Sequence, residues 1–126
     1  MQLERKGRAE TRVTEANTAA ALGSGSLPVF ATPALVALME QAAVNALALA
    51  AGETSVGVSV EIRHTAASGV GRLVRAEAEV TEEKGRRLVF RVSAADENGP
   101  VGAGRHERVI VNSAAFLAKT RAGAGE

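Results

Sequence analysis

The sequence predicts an α+β domain in which an antiparallel sheet wraps around one long central helix. Three observations lead to this fold class. One long apolar segment carries the start and stop signals of a helix, later segments alternate apolar and polar residues, and no second helical segment separates those later segments. At 126 residues the chain has the size of one ordinary domain. We therefore expect residues 1–126 to form a single domain.

The central helix is predicted over about residues 33–51. Thr32 is a suitable N-cap, Pro33 takes the first helical position, where its missing N–H costs nothing, and Gly52 follows the last helical residue. Leucines, valines and alanines point in nearly every direction around this helix, and such a helix has to be covered by other elements. It is therefore expected to be the core of the domain rather than a lid.

Strands are predicted on both sides of the helix. The predicted strands are residues 9–15, 56–62, 74–80, 88–94 and about 101–111. Residues 19–27 are rich in Ala, Gly and Ser and are expected to form a mobile loop. A short helix is expected from Asn112 or Ser113 through Lys119, followed by a frayed tail at 120–126. Because no helices lie between the later strands, the order predicts hairpin connections and the hot-dog fold.

Composition argues against several classes of function. Fifteen Lys and Arg against 14 Asp and Glu leave no basic field for a nucleic acid, and three phenylalanines are the only aromatic residues. Without cysteine no thiol nucleophile or thiolate metal site is possible, and the two histidines lack metal-ligand spacing. Glu40, Gln41 and Asn45 interrupt the apolar segment, which argues against a membrane span. The charged N-terminus does not resemble a signal peptide, so the expected location is the cytoplasm.

Glu40 lies in the middle of the predicted helix, where an ionised carboxylate needs a partner. In one interpretation Glu40 is a catalytic carboxylate. In the other, Glu40, Gln41 and Asn45 form one polar stripe of the helix, paired with a base or facing water. Periodicity favours neither interpretation.

Three further residues have side chains suited to chemistry. His64 ends a predicted strand just before a glycine-rich turn, a place from which an imidazole with an ordinary pKa near ~6.5 reaches a cleft. Thr32 stands at the helix start, where free N–H groups also stabilise a developing oxyanion. His106 lies among the alternating charges of residues 105–108, a pattern more typical of a solvated strand face. For both histidines a purely structural role is the alternative.

Four segments of the chain carry a family pattern. They are Val29-Phe-Ala-Thr-Pro-Ala-Leu-Val-Ala-Leu-Met-Glu40, Val56-Gly-Val with His64-Thr-Ala-Ala67, Glu83-Lys-Gly-Arg-Arg-Leu-Val-Phe-Arg-Val-Ser-Ala94 and Gly104-Arg-His-Glu-Arg108. Together they span roughly residues 27–120 and resemble the fluoroacetyl-CoA thioesterase group of hot-dog thioesterases. The resemblance implies a catalytic threonine, glutamate and histidine, with a glycine at the site before the histidine. The matching positions are Thr32, Glu40, His64 and Gly57.

The resemblance implies hydrolysis of an acyl-CoA thioester. A homodimer, or a higher oligomer, is expected because a sheet wrapped around one helix leaves its edges and the helix start exposed unless two domains pair. Glu40 and His64 would activate the attack on the thioester carbonyl, while Thr32 and the helix start hold the oxygen as it gains charge. CoA enters as part of the substrate, and neither a separate cofactor nor a metal is expected.

The resemblance is weaker around the expected acyl pocket. The fluoroacetyl-specific enzyme has a longer segment with aromatic residues before the motif, whereas residues 19–27 here contain none, so a small general acyl-CoA is the expected substrate. Arg63, Arg105 and Arg108 are candidates for contacts with the CoA phosphates, with ordinary surface charge as the alternative. Two other functions share the fold: a non-catalytic acyl-CoA or acyl-carrier binding protein, and an enoyl-CoA hydratase or dehydratase.

Overall fold

The structure, a computed structural model, describes residues 5–121. Its strands are β1 (Lys6–Arg12), β2 (Glu53–His64), β3 (Leu73–Lys84), β4 (Arg87–Asp96) and β5 (Gly99–Asn112). Its helices are α1 (Ala19–Leu22), α2 (Thr32–Asn45) and α3 (Ser113–Arg121), and one 3-10 turn spans Glu15–Asn17. The five strands form one antiparallel sheet in the order β1-β3-β4-β5-β2, and α2 packs on it. This architecture confirms the predicted α+β class.

Strand pairing places one face of the sheet against α2. β3, β4 and β5 are hairpin neighbours, whereas β1 pairs with β3 and β2 pairs with β5 at the two edges. Alternate residues along each strand share a face. Ala76, Ala94 and Gly102 therefore stand in one row across the sheet, and Phe90 stands beside His106 in another. The largest fully buried apolar side chains of the core are Phe30, Phe90, Leu35, Met39 and Leu88.

Helix α2 is shorter than predicted, because it ends at Asn45 rather than near residue 51. The alanine-rich sequence would allow the helix to continue, so contacts with other elements end it. Asn45 Nδ2 donates to the carbonyl of Arg8 in β1 at 2.8 Å. The chain then turns to start β2, and the N–H of Glu53 donates to the carbonyl of Ala50 at 3.0 Å. Gly52, with a φ of 83°, belongs to this turn and does not close the helix.

The start of α2 also differs from the prediction. Thr32 is the first helical residue, Ala31 is the N-cap, and no side chain caps the helix. The predicted N-cap role of Thr32 is therefore wrong, because its hydroxyl is hydrogen bonded to His64 instead, at 2.8 Å. Pro33 takes the second position, which is still in the first turn and needs no N–H.

The sheet covers one face of α2. The buried residues of the helix are spaced three and four apart: Leu35, Leu38, Met39, Ala42 and Ala43. Val44, on another face, is 46% exposed. The expectation of a helix covered all round is therefore wrong for a single chain. The helix is amphipathic, but alanines occur on both its buried and its exposed faces, so the sequence pattern looked apolar in every direction. None of the helices within residues 5–121 has the length and hydropathy that a membrane crossing requires.

Smaller differences lie towards the two ends of the chain. β1 spans Lys6–Arg12 rather than residues 9–15. The predicted loop at 19–27 starts with the single turn of α1, which Thr18 caps by accepting a hydrogen bond of 3.1 Å from the N–H of Ala21. α3 continues through Arg121, so the predicted tail is helical at its first two residues. The rest of that tail, 122–126, and the N-terminal residues 1–4 lie outside the described residues.

Strand β2 contains a β-bulge. Gly57 and Ser59 pair with successive residues of β5, so Val58 is the extra residue. The predicted alternation over 56–62 is interrupted at this point, and Val58 is 47% exposed. Because of the bulge, Gly57 and Val60 face the same side of the sheet although they are three positions apart.

Candidate active site

The hydroxyl of Thr32 and the imidazole of His64 form a hydrogen-bonded pair at the start of α2. Thr32 Oγ1 lies 2.8 Å from His64 Nδ1. Thr32 is the first residue of α2 and His64 the last residue of β2, so the pair joins a helix start to the end of an edge strand. The first turn of a helix leaves N–H groups without intrahelical partners. This end of α2 is therefore suited to hold an oxygen that gains negative charge.

The imidazole of His64 is half-buried. Burial lowers the pKa of His64 below its ordinary value, and the backbone of Ala66 partly offsets this effect. The Nε2 atom is itself buried and has no hydrogen-bond partner among the described residues. At neutral pH the ring is therefore uncharged, with Nδ1 bonded to Thr32 and Nε2 buried without a partner among the described residues.

A shallow cavity of about 260 Å³ opens beside this pair. Besides Thr32 and His64, small and apolar residues line it: Ala19, Ser24, Val29, Phe30, Thr65, Ala66 and Ala67. One wall comes from the segment at 19–27, which contains no aromatic residue. Leu22 and Leu27 of that segment are 49% and 62% exposed.

A second polar group lies in the middle of α2, where Glu40 faces β5. Glu40 Oε2 is 3.6 Å from Arg108 Nη1 and 4.0 Å from His106 Nε2. The Glu40 side chain is 39% exposed, whereas those of His106 and Arg108 are 1% and 8% exposed. The Glu40 carboxylate therefore has the buried side chains of His106 and Arg108 on one side and is partly exposed on the other.

Gly57 lies against the same carboxylate. A methyl group at Gly57 would lie 2.8 Å from Glu40 Oε2 and 3.3 Å from His106 Cε1, which is too close for either atom to stay in place. Gly57 does not have a positive φ, so the need for glycine here comes from space and not from backbone conformation. The glycine at the bulge leaves the room that Glu40 occupies.

Three hydrogen bonds hold Arg108. Its Nε donates to Ser55 Oγ at 2.8 Å, its Nη2 to the Ser55 carbonyl at 2.9 Å, and its Nη1 to His106 Nε2 at 3.1 Å. His106 Nδ1 in turn donates to the carbonyl of Ser59 at 2.8 Å. Burial lowers the pKa of His106 and that of Arg108. For His106 the bond to the Ser59 carbonyl partly offsets burial, the charge of Arg108 lowers the pKa further, and Glu40 and Glu107 have smaller opposite effects. His106 is therefore neutral, and the ion pair of this group joins Glu40 to Arg108.

Within one chain the structure brings together two of the three predicted catalytic residues. Thr32 and His64 are in contact, whereas Glu40 lies with Gly57 and Arg108 in the second group. Thr32 and Glu40 are eight residues apart on one helix, which at 1.5 Å per residue is about 12 Å.

Two expectations about basic side chains are wrong. His106 does not lie on a solvated strand face, since it is 1% exposed and faces α2. Arg108 is not an ordinary surface charge, because its guanidinium is buried against Ser55 and His106, which leaves little surface for a CoA phosphate. Arg63 is exposed on the opposite side of the sheet, and Arg105 pairs with a carboxylate of its own strand at 2.7 Å.

Sequence reasoning missed Ser55, Ser59 and the buried position of His106. One signal for His106 was present. Gly102 and Gly104 alternate with it along β5, and small residues at alternate positions mark the side of a strand that another element approaches closely. The contact of Ser59 depends on the bulge and left no comparable signal.

Comparisons of the sequence point to one family. The family described as fluoroacetyl-CoA-specific thioesterase matches residues 13–114. The fluoroacetyl-CoA thioesterase of Streptantibioticus cattleyicolor is 45% identical over 95 residues, which cover 74% of this chain and 68% of that protein.

Solved structures agree with this relationship. A threonine-to-serine variant of the fluoroacetyl-CoA thioesterase FlK in complex with acetyl-CoA has a TM-score of 0.90 at 36% identity, with 98% of both chains covered. A thioesterase superfamily member from Thermus thermophilus has a TM-score of 0.84 at 36% identity, covering 92% of this chain and 88% of that one. For a hot-dog-like protein from Thermanaerovibrio acidaminovorans the TM-score is 0.85 at 28% identity, covering 96% and 91%. The chain therefore belongs to the fluoroacetyl-CoA-specific thioesterase family and is an acyl-CoA thioesterase with the hot-dog fold.

Proposed function

We propose that the protein hydrolyses the thioester of a small acyl-CoA to the free acid and CoA, in active sites shared between the two subunits of a homodimer. Each site combines Thr32 and His64 of one subunit with Glu40 of the other. The observation that carries this proposal is the separation along α2. Thr32 and Glu40 lie about 12 Å apart, too far for both to contact one reacting carbon and its oxygen. A second chain has to supply the missing half.

The Thr32 end of α2 binds the carbonyl oxygen in this proposal. We take the tautomer in which His64 Nδ1–H donates to Thr32 Oγ1, 2.8 Å away, so that the Thr32 hydroxyl proton binds the substrate oxygen together with the N–H groups of the first helical turn. In this tautomer Nε2 carries the lone pair, and its lowered pKa keeps the imidazole neutral and able to take up a proton. The buried and unpartnered Nε2 supports this role.

Glu40 provides the attack on the carbonyl carbon. It either attacks directly, giving a mixed anhydride that water then hydrolyses, or removes a proton from the water that attacks. Both routes form a carbon–oxygen bond and break the carbon–sulfur bond, and CoA leaves as a thiolate that takes up a proton. The family resemblance favours direct attack. Gly57 supports either route because it leaves space for the carboxylate.

The proposed acyl group is small. The cavity beside Thr32 and His64 measures about 260 Å³, and residues 19–27 place no aromatic ring over it. The Streptantibioticus cattleyicolor relative is named for fluoroacetyl-CoA, and the FlK variant holds acetyl-CoA. We therefore propose short acyl-CoA thioesters as a class, without strong selection for fluorine. Arg63, exposed next to His64 in the chain, is the proposed contact for a CoA phosphate.

Release of free thiol tests the reaction. The purified protein is given acetyl-CoA, fluoroacetyl-CoA, propionyl-CoA and butyryl-CoA, and crotonyl-CoA hydration is followed in parallel. We expect thiol release from more than one short thioester and no hydration. Binding without thiol release, or hydration alone, would contradict the proposal.

The substitution Glu40→Gln tests the catalytic carboxylate. Glutamine keeps the shape of the side chain, so we expect a nearly unchanged melting temperature and a loss of thiol release of at least about 100-fold. Glu61→Gln, at an exposed glutamate of β2, is the matched control and should retain full activity. If Glu40→Gln keeps activity within a few-fold of the wild type, Glu40 is structural and the mechanism is wrong.

A further inference from the structure

His106 is buried beside the proposed catalytic carboxylate without a role in the mechanism above. Its ring stacks on Phe90, with centroids 5.9 Å apart, and is 1% exposed, so it has no surface for a substrate. Both ring nitrogens nevertheless have partners. Nδ1 lies 2.8 Å from the carbonyl oxygen of Ser59, and Nε2 lies 3.1 Å from Arg108 Nη1.

These partners decide which nitrogen of His106 carries the proton. A backbone carbonyl accepts and does not donate, so Nδ1–H must donate to Ser59. A guanidinium donates and does not accept, so Nε2 must present its lone pair to Arg108. A doubly protonated ring would set an N–H against the guanidinium. The lowered pKa of His106, caused first by burial, agrees with this neutral form.

The acceptor for His106 comes from the β-bulge. Ser59 directly follows Val58, the extra residue at which the pairing with β5 shifts. Bulges interrupt the ladder locally and redirect nearby groups. The irregular edge strand thus supplies the carbonyl that sets the tautomer of a histidine on the neighbouring strand.

Arg108 needs the lone pair of His106 to keep its orientation. Two of its nitrogens bind Ser55, and the third, Nη1, lies between His106 at 3.1 Å and Glu40 at 3.6 Å. Nη1 has two N–H groups in one plane, so the bond to His106 directs the other N–H towards Glu40. Without that acceptor, a buried donor would be unpaired and the guanidinium would be free to tilt about Ser55.

We propose that His106 is a positioning residue for thioester hydrolysis: through its neutral tautomer it orients Arg108, and Arg108 holds the carboxylate of Glu40 in place. The inference rests on the proposed role of Glu40 in catalysis. It gives Arg108 a function inside the site instead of a contact with the CoA phosphates.

Two substitutions of His106 separate its two hydrogen bonds. Asparagine places an amide near Nδ1, so His106→Asn keeps the donor to Ser59 and loses the acceptor for Arg108. Glutamine places an amide near Nε2, so His106→Gln keeps an acceptor for Arg108 and loses the donor to Ser59. With acetyl-CoA as the probe, we expect kcat to fall about 10-fold or more in His106→Asn, with KM within about twofold of wild type. We expect His106→Gln to retain kcat within about threefold.

The outcomes distinguish a positioning role from a structural one. The positioning role is overturned if both variants have a lower melting temperature while kcat per folded molecule stays at the wild-type value. It is also overturned if kcat falls equally in both variants. Glu40→Gln is measured alongside. An active Glu40→Gln enzyme overturns the proposed function, whereas an inactive Glu40→Gln enzyme with equal kcat values in the two His106 variants overturns the positioning role alone.

A second variant covers the case in which His106→Asn does not fold. Ser55→Ala removes one acceptor of Arg108 and leaves the buried imidazole intact. We expect a several-fold lower kcat at unchanged KM, because the guanidinium loses one of its three anchors. An unchanged kcat in Ser55→Ala would show that the orientation of Arg108 does not matter for the reaction.

Discussion

His64 and His106 both have a lower pKa in the folded protein than in the unfolded chain, because both imidazoles are buried. Their partners differ, however. His64 is bonded to a hydroxyl and keeps one buried nitrogen without a partner among the described residues, which suits proton transfer. His106 has both nitrogens engaged, which suits a fixed structural or positioning part. The hydrogen-bond partners therefore distinguish the roles of the two histidines, which their burial alone does not.

We predict that the protein loses stability as the pH falls from about 7 to about 5. An imidazole whose pKa is lowered by folding binds its proton more readily in the unfolded chain. The stability contribution of His64 and His106 is therefore complete above the unfolded pKa near ~6.5 and is lost as the pH falls below it. Arg108, Glu40 and Glu107 are the charged groups around His106. Thermal melting followed by circular dichroism over this pH range checks the prediction.

Asp96 provides an internal control for that experiment. The hydrogen bond from Ser68 Oγ, at 2.6 Å, is the main cause that lowers the Asp96 pKa. The contribution of this carboxylate is present above its ordinary pKa of about 3.9 and is lost only at lower pH. His106→Asn should weaken the decline in melting temperature between about pH 7 and about pH 5. The further decline at lower pH, to which Asp96 contributes, should stay unchanged. A wild-type melting temperature that stays flat over the higher range would contradict the prediction.

At the scale of elements, α2 and its neighbours explain where the site residues lie. The buried stripe of the helix packs on the sheet, which turns Glu40 towards β5 and leaves the first turn of α2 beside the end of β2. β1 crosses the other end of the helix, where the backbone of Gly7 approaches that of α2 closely. This contact, together with the bond from Asn45 to Arg8, ends the helix.

We predict that Gly7→Ala destabilises the protein. The new methyl group would overlap the carbonyl oxygen of Ala42 and the amide nitrogen of Ala46, and would lie 2.8 Å from the carbonyl carbon of Asn45. These are backbone atoms, which cannot turn aside as a side chain does, so β1 would have to move away from α2. We expect a loss of about 1–3 kcal/mol or more in the free energy of unfolding, measured by urea denaturation.

Gly69→Ala is the matched control for Gly7→Ala. A methyl group at Gly69 would have no atom within 4 Å, and its φ is not positive. We expect its free energy of unfolding to stay within about 0.5 kcal/mol of the wild type. Equal destabilisation by the two substitutions would show that the close approach of β1 to α2 is not the cause.

At the scale of the whole molecule, the single chain leaves two features incomplete. β2 is a 12-residue strand at the edge of the sheet, and an unpaired edge of this length is usually covered in native proteins. The proposed catalytic residues stand in two groups along α2 that no single chain brings together. A symmetric dimer would resolve both features, because each chain would supply what the other lacks.

We predict that mixing two inactive variants restores activity. Thr32→Ala and Glu40→Gln chains are unfolded, mixed and refolded, after each has been shown to be inactive alone. A heterodimer then has one intact site, made from Thr32 and His64 of one chain and Glu40 of the other. Random pairing should restore about a quarter of wild-type thiol release.

The control mixture combines Thr32→Ala with His64→Ala. Both substitutions damage the same half of the site, so no heterodimer of these chains has an intact site and no activity should return. Sedimentation should show dimers in both mixtures, and mass spectrometry should show heterodimers. If the first mixture contains heterodimers and stays as inactive as its parents, Thr32 and Glu40 do not combine across subunits.

The fold class, the strands after α2 and the start region of the helix were predictable from the sequence. Alternating apolar residues, turn residues and a proline in the first helical turn are local signals, because each depends only on residues that are close together in the sequence. The family pattern also pointed to Thr32, Glu40, His64 and Gly57 as one set.

The end of α2, the bulge in β2 and the buried state of His106 were decided by tertiary structure alone. Asn45 ends the helix because it meets a residue 37 positions earlier, and Nδ1 of His106 binds the carbonyl of Ser59, which lies 47 positions earlier on another strand. Such contacts depend on strand register, which is set by pairing across the sheet and not by neighbours in the chain. The separation of Thr32 and Glu40 by about 12 Å, by contrast, follows from their eight-residue spacing on one predicted helix and did not require the tertiary structure.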